Sequence, residues 1–287
     1  MGDLLKGRVV IVTGAGGGLG EQHALALGAE GAKVVVNDLG GARDGTGGGQ
    51  AMADKVVEEI KAAGGEAVAN YDNVATVAGG ENILKTALDA FGQVDVLVNN
   101  AGILRDRAFH NMTEEEWVIV VAVHLRGTFC VTQPVFRHMR QQGSGVIINT
   151  SSTSGLNGNF GQANYGAAKG GIWGFSNVIA KEGFRRGEPE PVIRVFTLVP
   201  VAFTRLTEDL APFQSEDVKH SMDPKLVSPV VVFLASDLSK GMTDKTFNVG
   251  GGRISEMKMV TAPGAAKQDG LWTAQEIADR MKEILVP

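Results

Sequence analysis

Between Arg8 and Gly31 the chain reads as a buried strand, a glycine loop and a helix in immediate succession, and few folds accept that order. The run RVVIVT is short, apolar and rich in β-branched residues, the pattern of a strand covered on both faces, which belongs to a parallel sheet. It passes directly into Gly14-Ala15-Gly16-Gly17-Gly18-Leu19-Gly20, and EQHALALGAEG follows with helical period, closed by Gly31. Glycines let backbone approach a ligand closely, and the start of the helix offers N–H groups and a positive dipole end to a diphosphate. A cofactor site is implied at this turn.

The pattern repeats along the chain. Lys33 to Asp38 reads as a second buried strand, placing Asp38 about twenty residues beyond the glycine loop, where a carboxylate accepts hydrogen bonds from an adenosine ribose. Ala53 to Ala63 reads as helix, Glu66 to Tyr71 as strand ending in Asp72-Asn73-Val74, NILKTALDAFG as helix, and VDVLV as strand ending in Asn99-Asn100-Ala101-Gly102. Thr113 to Glu116 forms a capping box for a long helix that carries His124, Cys130 and a kink-prone Pro134. GVIINT, the helix containing Tyr165, VIRVFTLV, a polar stretch from Arg205 to Pro224, a helix near Leu226 to Ala235, and TFNVGG complete the series. This alternation predicts an α/β fold, a doubly wound parallel sheet of about seven strands with helices on both faces. Residues 1–256 form the predicted catalytic domain, and 257–287 a tail of the same domain whose helix starts at Thr273 with Glu276 completing a capping box.

Composition narrows the function classes. A net charge of −5 with no run of Lys or Arg argues against nucleic acid and anionic membranes as partners. Cys130 is the only cysteine, so an internal disulfide and a cysteine metal site are excluded, and no metal is expected. No apolar run approaches the ~18 residues of a membrane span, and a cytoplasmic protein is expected.

Chemistry concentrates between Thr150 and Lys169. Tyr165 and Lys169, four residues apart on a helix, share one face. A neighbouring ammonium favours phenolate, so Lys169 is expected to lower the Tyr165 pKa and fit it for general acid–base work. Ser152, thirteen residues earlier at a strand end, is placed to polarise a substrate carbonyl. A tyrosine and a lysine at this spacing are more often a surface pair; the glycine loop and strand-end motifs around them are what favour catalysis.

Thr13-Gly14-x-x-x-Gly18-x-Gly20, Asn99-Asn100-Ala101-Gly102 and Ser152 with Tyr165-x-x-x-Lys169 resemble, in order and spacing, the short-chain dehydrogenase/reductase family over roughly Gly7 to Arg253. Within it, VVVNDLGG, NNAGILRDR, VHLRGTF and GNFGQANY look like the (3R)-hydroxyacyl-CoA dehydrogenase unit of peroxisomal multifunctional enzymes. The resemblance implies NAD as cofactor, with Gly14, Gly18, Leu19 and Gly20 at the diphosphate, Asp38 at the adenosine ribose, and Asp72, Asn73 and Val74 at the adenine. Asn100, Ala101 and Gly102 would hold the nicotinamide half, Tyr165 and Lys169 its ribose, and Thr204 its amide. A small-molecule substrate, acyl-CoA or steroid, and a homodimer or homotetramer are also implied. The chain departs from the family at His124, where Asn is common, at Pro200-Val201 in place of Pro-Gly, and in the Pro-rich stretch Arg186 to Pro191. Sugar-nucleotide epimerases share Tyr-x-x-x-Lys but space their glycines differently, and a non-catalytic NAD-binding scaffold would not need Ser152, Tyr165 and Lys169 together.

Overall fold

A computed structural model describes residues 2–203 and 215–285. The chain divides after Glu256 into two compact units. The first holds a sheet of eight strands, β1 (Val9–Thr13), β2 (Lys33–Asn37), β3 (Glu66–Asn70), β4 (Val96–Asn99), β5 (Gly145–Thr150), β6 (Ile193–Val201), β7 (Lys245–Gly250) and β8 (Arg253–Glu256). Their spatial order is β3-β2-β1-β4-β5-β6-β7-β8. Every neighbouring pair is parallel except β7 with β8. The order reverses between β1 and β4, and the carboxyl ends of strands at such a switch point frame a crevice.

Helices α1 (Gly18–Ala29), α2 (Ala51–Ala62), α3 (Val77–Phe91), α4 (Glu114–Val121), α5 (Gly127–Gln142), α6 (Thr153–Leu156), α7 (Ala163–Glu182), α8 (Glu216–Ser221) and α9 (Ser228–Ala235) join the strands. The continuous apolar runs have a simple cause: both faces of the sheet are covered. Val10 and Val12 of β1 join Leu27, Val56 and Val231 in one core, while Val9 and Ile11 join Ile83, Val135 and Ile179 in the other. Alternate residues of one strand thus serve opposite layers.

β8 was not anticipated. Its RISE is short and mostly exposed, so it carries no apolar run. Gly251 and Gly252, both at positive φ, make the tight turn that folds it back on β7, a conformation in which two successive glycines are favoured. The helical run that carries Pro134 also holds an irregularity that was not anticipated. Pro134 lies inside α5, and the irregularity comes earlier, as a π turn over Ala122–Arg126. The whole helical run Glu114–Gln142 is long and apolar enough to cross a membrane by length and composition, contrary to the expectation from apolar runs, but half of its most apolar window is buried inside the fold. Val131, Val135 and Met139 from it fill the second core. The Pro-rich stretch before β6 is closed by a bridge between Phe184 and Pro191.

In the second unit, α10 (Ala274–Asp279) opens with the expected capping box of Thr273 and Glu276 and is followed by α11 (Met281–Ile284). Lys267 and Arg280 each lie over the Trp272 ring, at 5.9 and 5.4 Å.

Candidate active site

A cleft opens at the switch point. Gly14, Gly18, Leu19, Asp38, Asp72, Asn73, Val74, Asn100, Ala101 and Gly102, all expected at a cofactor, line it. Gly20 does not. A Cβ there would stand 2.1 Å from the Gly14 carbonyl oxygen and 2.5 Å from Asn100 Nδ2, so this glycine lets the first turn of α1 press against the loop behind the cleft. Asn99 also turns away: its Nδ2 donates to Asn149 Oδ1 and Thr132 Oγ1, both at 2.8 Å, in the core. Thr204 lies outside the described residues.

Three sets of hydrogen bonds fix the cleft. Thr13 Oγ1 accepts from the Asn100 and Ala101 N–H groups at 3.1 and 3.2 Å, and Asn100 Nδ2 donates back to the Thr13 and Gly14 carbonyls. The glycine loop and the Asn-Ala-Gly turn therefore move as one body. The Asp38 carboxylate accepts from Gly16 N–H at 2.8 Å and from Gly40 N–H at 2.7 Å. Asn37 Nδ2 donates to the Asp72 carbonyl at 3.0 Å, tying the ends of β2 and β3.

These features fit a dinucleotide. Helix α1 begins at the cleft with Gly17 as N-cap and no side chain bonded to its first N–H groups, the arrangement that receives a diphosphate. Glycines keep the floor low, and Asp38 retains lone pairs for ribose hydroxyls.

Beside the cleft, Ser152, Tyr165 and Lys169 converge as expected. The Ser152 hydroxyl is near enough to the Tyr165 phenol to favour its ionised form, and Lys169 Nζ lies 5.6 Å from the Tyr165 ring centroid. The electrostatics differ from expectation. Burial pushes Tyr165 up to about 12, opposed by the Ser152 hydroxyl and reinforced by the Asp106 charge. Burial also pushes Lys169 down to about 7. Its ammonium donates to the Thr150 carbonyl at 2.6 Å, so desolvation has weakened the positive charge that was expected to lower the phenol. Spacing on a helix face predicts proximity but carries no information about solvent.

His124 is buried within the π turn, with Nε2 2.8 Å from the Ile103 carbonyl and 3.1 Å from the Ile103 N–H. Desolvation holds it at about 3, as a neutral ring. Arg105 and Arg107, two candidates for a CoA phosphate, are engaged elsewhere: Arg105 Nε donates to the Asp44 carbonyl at 2.7 Å, and Arg107 pairs with Glu116 rather than with Asp106 or Glu114.

Two residues of the site escaped the sequence motifs. Gln162, just before α7, is buried and bonds Ser154, Asn159 and Asp106. Asn164, fully buried, donates to the Arg105 and Glu116 carbonyls at 2.9 Å and accepts from Tyr165 N–H at 2.7 Å. The signal was two amides beside Tyr165 at a helix start, where polar residues usually mean only a cap.

Comparison with known proteins agrees with this geometry. The family model for short chain dehydrogenases matches residues 8–215. A short-chain type dehydrogenase/reductase of Mycobacterium tuberculosis is 48% identical over 280 residues, covering 98% of this chain and 94% of that protein. The mouse peroxisomal multifunctional enzyme type 2 is 47% identical over 280 residues, covering 97% of this chain; the chain spans only 36% of the mouse protein's length. The crystal structure of a short chain dehydrogenase from Mycobacterium avium superposes with a TM-score of 0.85 at 43% identity, covering 99% of this chain and 98% of that one.

Proposed function

The chain belongs to the short chain dehydrogenase family, and from that premise we propose that it interconverts a secondary alcohol and a ketone with NAD, acting on a (3R)-hydroxyacyl-CoA thioester. The observation that carries the reading is the meeting of Ser152, Tyr165 and Lys169 beside a glycine-floored cleft with Asp38 at its far end.

Gly14, Gly18 and Leu19 would seat the diphosphate, Asp38 the adenosine ribose, Asp72, Asn73 and Val74 the adenine, and Asn100, Ala101 and Gly102 the nicotinamide half. When bound, NAD takes up or gives back the hydride at the carbinol carbon. Ser152 holds the substrate oxygen through its hydroxyl. Tyr165 removes the hydroxyl proton as the alcohol is oxidised and returns it as the ketone is reduced. Lys169, lowered to about 7 by burial, can exchange protons near neutral pH and, on the face it shares with Tyr165, would hold the nicotinamide ribose.

The acyl-CoA assignment is supported by the likeness of GILRDR and GNFGQANY to the multifunctional enzymes, because these segments flank Tyr165 and join each other: Arg107 N–H donates to the Gly161 carbonyl at 2.8 Å. It is tested by kcat/KM for (3R)- and (3S)-hydroxyacyl-CoA beside a 17β-hydroxysteroid. Preference for the R thioester is expected; activity on the steroid alone would replace the acyl-CoA with a steroid alcohol. Exposed Trp117, Val118, Phe129 and Val178 on α4, α5 and α7 support assembly into a homodimer or homotetramer through these helices.

A further inference from the structure

The segment that follows β2 does more than line the cleft. Its stem is drawn together where Gly49 N–H donates to the Leu39 carbonyl at 2.9 Å. Its tip is a tight turn: Ala42 N–H donates to the Thr46 carbonyl at 2.8 Å, and Asp44 Oδ1 accepts from the Thr46 N–H at 3.0 Å and hydroxyl at 2.6 Å. The result is a compact loop that holds its own shape. The tip is fastened to the far bank, where Leu104 N–H donates to the Arg43 carbonyl at 3.1 Å and Arg105 Nε to the Asp44 carbonyl at 2.7 Å. Gly45 lies so near this bank that a Cβ there would stand 3.1 Å from Ile103 Cδ1.

Strand order gives these bonds their meaning. β1 lies between β2 and β4, so a loop that leaves β2 and is tied to the segment after β4 spans the carboxyl end of β1, where the glycine loop begins. Gly41, Arg43 and Gly45 line the same cleft as Gly14 and Gly18. The Asn100 and Ala101 bonds to Thr13 join the banks on one side of the cleft, and the Arg43 and Asp44 bonds join them on the other. A dinucleotide seated from Asp72 at one end to Gly102 at the other would be threaded through this ring. We propose that residues 39–49 form a strap over the diphosphate, that the cofactor enters and leaves when the strap lifts, and that Arg105 is the positioning residue that fastens it. The proposal rests on the cleft holding NAD, not on the identity of the substrate. Gly40 and Gly47, at positive φ on either side of the tip, give the stem the backbone freedom of a hinge. Both tip bonds end on main-chain carbonyls, so the Arg105 side chain is the one fastener that substitution can remove.

A strap that must lift for entry and for exit slows both, whereas a residue that merely adds affinity slows exit alone. Stopped-flow energy transfer from tryptophan to NADH, with excess NAD as the chase, reads the two rates on the whole chain. In Arg105→Ala, association and release should each rise about tenfold, the worth of one hydrogen bond from a charged donor, with Kd within about threefold of the parent. Gly45→Val puts a β-branched side chain at positive φ against Ile103. It should loosen the strap from the loop side with the same pair of changes, and it serves if Arg105→Ala does not fold. Rates unchanged in both variants, or faster release with unchanged association, would overturn the strap while leaving the cofactor reading in place. A parent chain that binds neither NADH nor NADPH would overturn both.

Discussion

The His124 ring meets Tyr165 edge-on, with centroids 5.1 Å apart and planes at 89°, while its Nε2 is bonded to the Ile103 main chain. A single neutral side chain thus spaces the catalytic phenol from the turn that lines the cofactor cleft. His124→Asn, able to bond Ile103 but too short to touch the phenol ring, should retain most stability and lose activity by a modest factor. His124→Leu should lower stability by about 1–3 kcal/mol, the cost of leaving buried Ile103 polar groups unsatisfied. Thermal melts beside kcat/KM check this, and equal melting of both variants would refute the Ile103 anchor.

Tyr165→Phe keeps the ring packed on His124 and removes the proton. Turnover should fall about 100- to 10,000-fold, the usual worth of a general acid–base group, with NAD binding within a few-fold of the parent. Activity within tenfold would remove Tyr165 from the mechanism.

Asp38 should impose a preference for NAD, since its carboxylate faces the position of a 2′-phosphate with like charge. Asp38→Ser should shift the ratio of kcat/KM for NAD over NADP toward NADP by at least about tenfold, the equivalent of ~1.4 kcal/mol. A parent enzyme that already prefers NADP would show that Arg43, which also lines the cleft, governs the choice.

His23, buried against Ser228 with Nδ1 2.9 Å from its Oγ, is held at about 3 by desolvation. Its folded pKa lies below the unfolded value near 6.5, so the unfolded chain takes a proton that the folded chain refuses between those limits. Its contribution is intact above pH ~6.5 and is lost on acidification at ~1.4 kcal/mol per pH unit; His124 acts with the same sign. Urea unfolding from pH 7 to 4.5 should show the slope, and His23→Leu should flatten it by about one proton. An unchanged slope in that variant would place the acid sensitivity elsewhere.

Much of the framework was legible because each strand is buried on both faces and ends in a turn of distinctive chemistry. RVVIVT with its glycines, KVVVND with Asp38 and VDVLV with Asn-Ala-Gly announce position as well as type, and the cleft gathers them as their order implied. What stayed hidden depends on burial and on distant partners. That Lys169 is desolvated onto Thr150, that Gly20 packs rather than binds, and that Gln162 reaches Asp106 across 56 positions are facts about solvent and tertiary approach, to which local periodicity is blind. β8 was hidden for the opposite reason, as an exposed edge strand with too little apolar character to register.

The π turn over Ala122–Arg126 makes chain length part of the catalytic design. Such a turn holds one residue more than the flanking α-helical ladder can use, and one residue is about 100° of rotation. α4 and α5 are therefore out of phase, which is how His124 faces Tyr165 while Val131 and Val135, seven and eleven residues on, face the sheet. Deleting one residue from the turn would let an uninterrupted α-helix close, a change the backbone tolerates easily. The resulting protein should both melt lower than its parent and turn over poorly, because rolling one side of the deletion by a quarter turn would move either His124 off Tyr165 or Val131, Val135 and Met139 out of the core. At this point in the chain an indel would be more damaging than most substitutions.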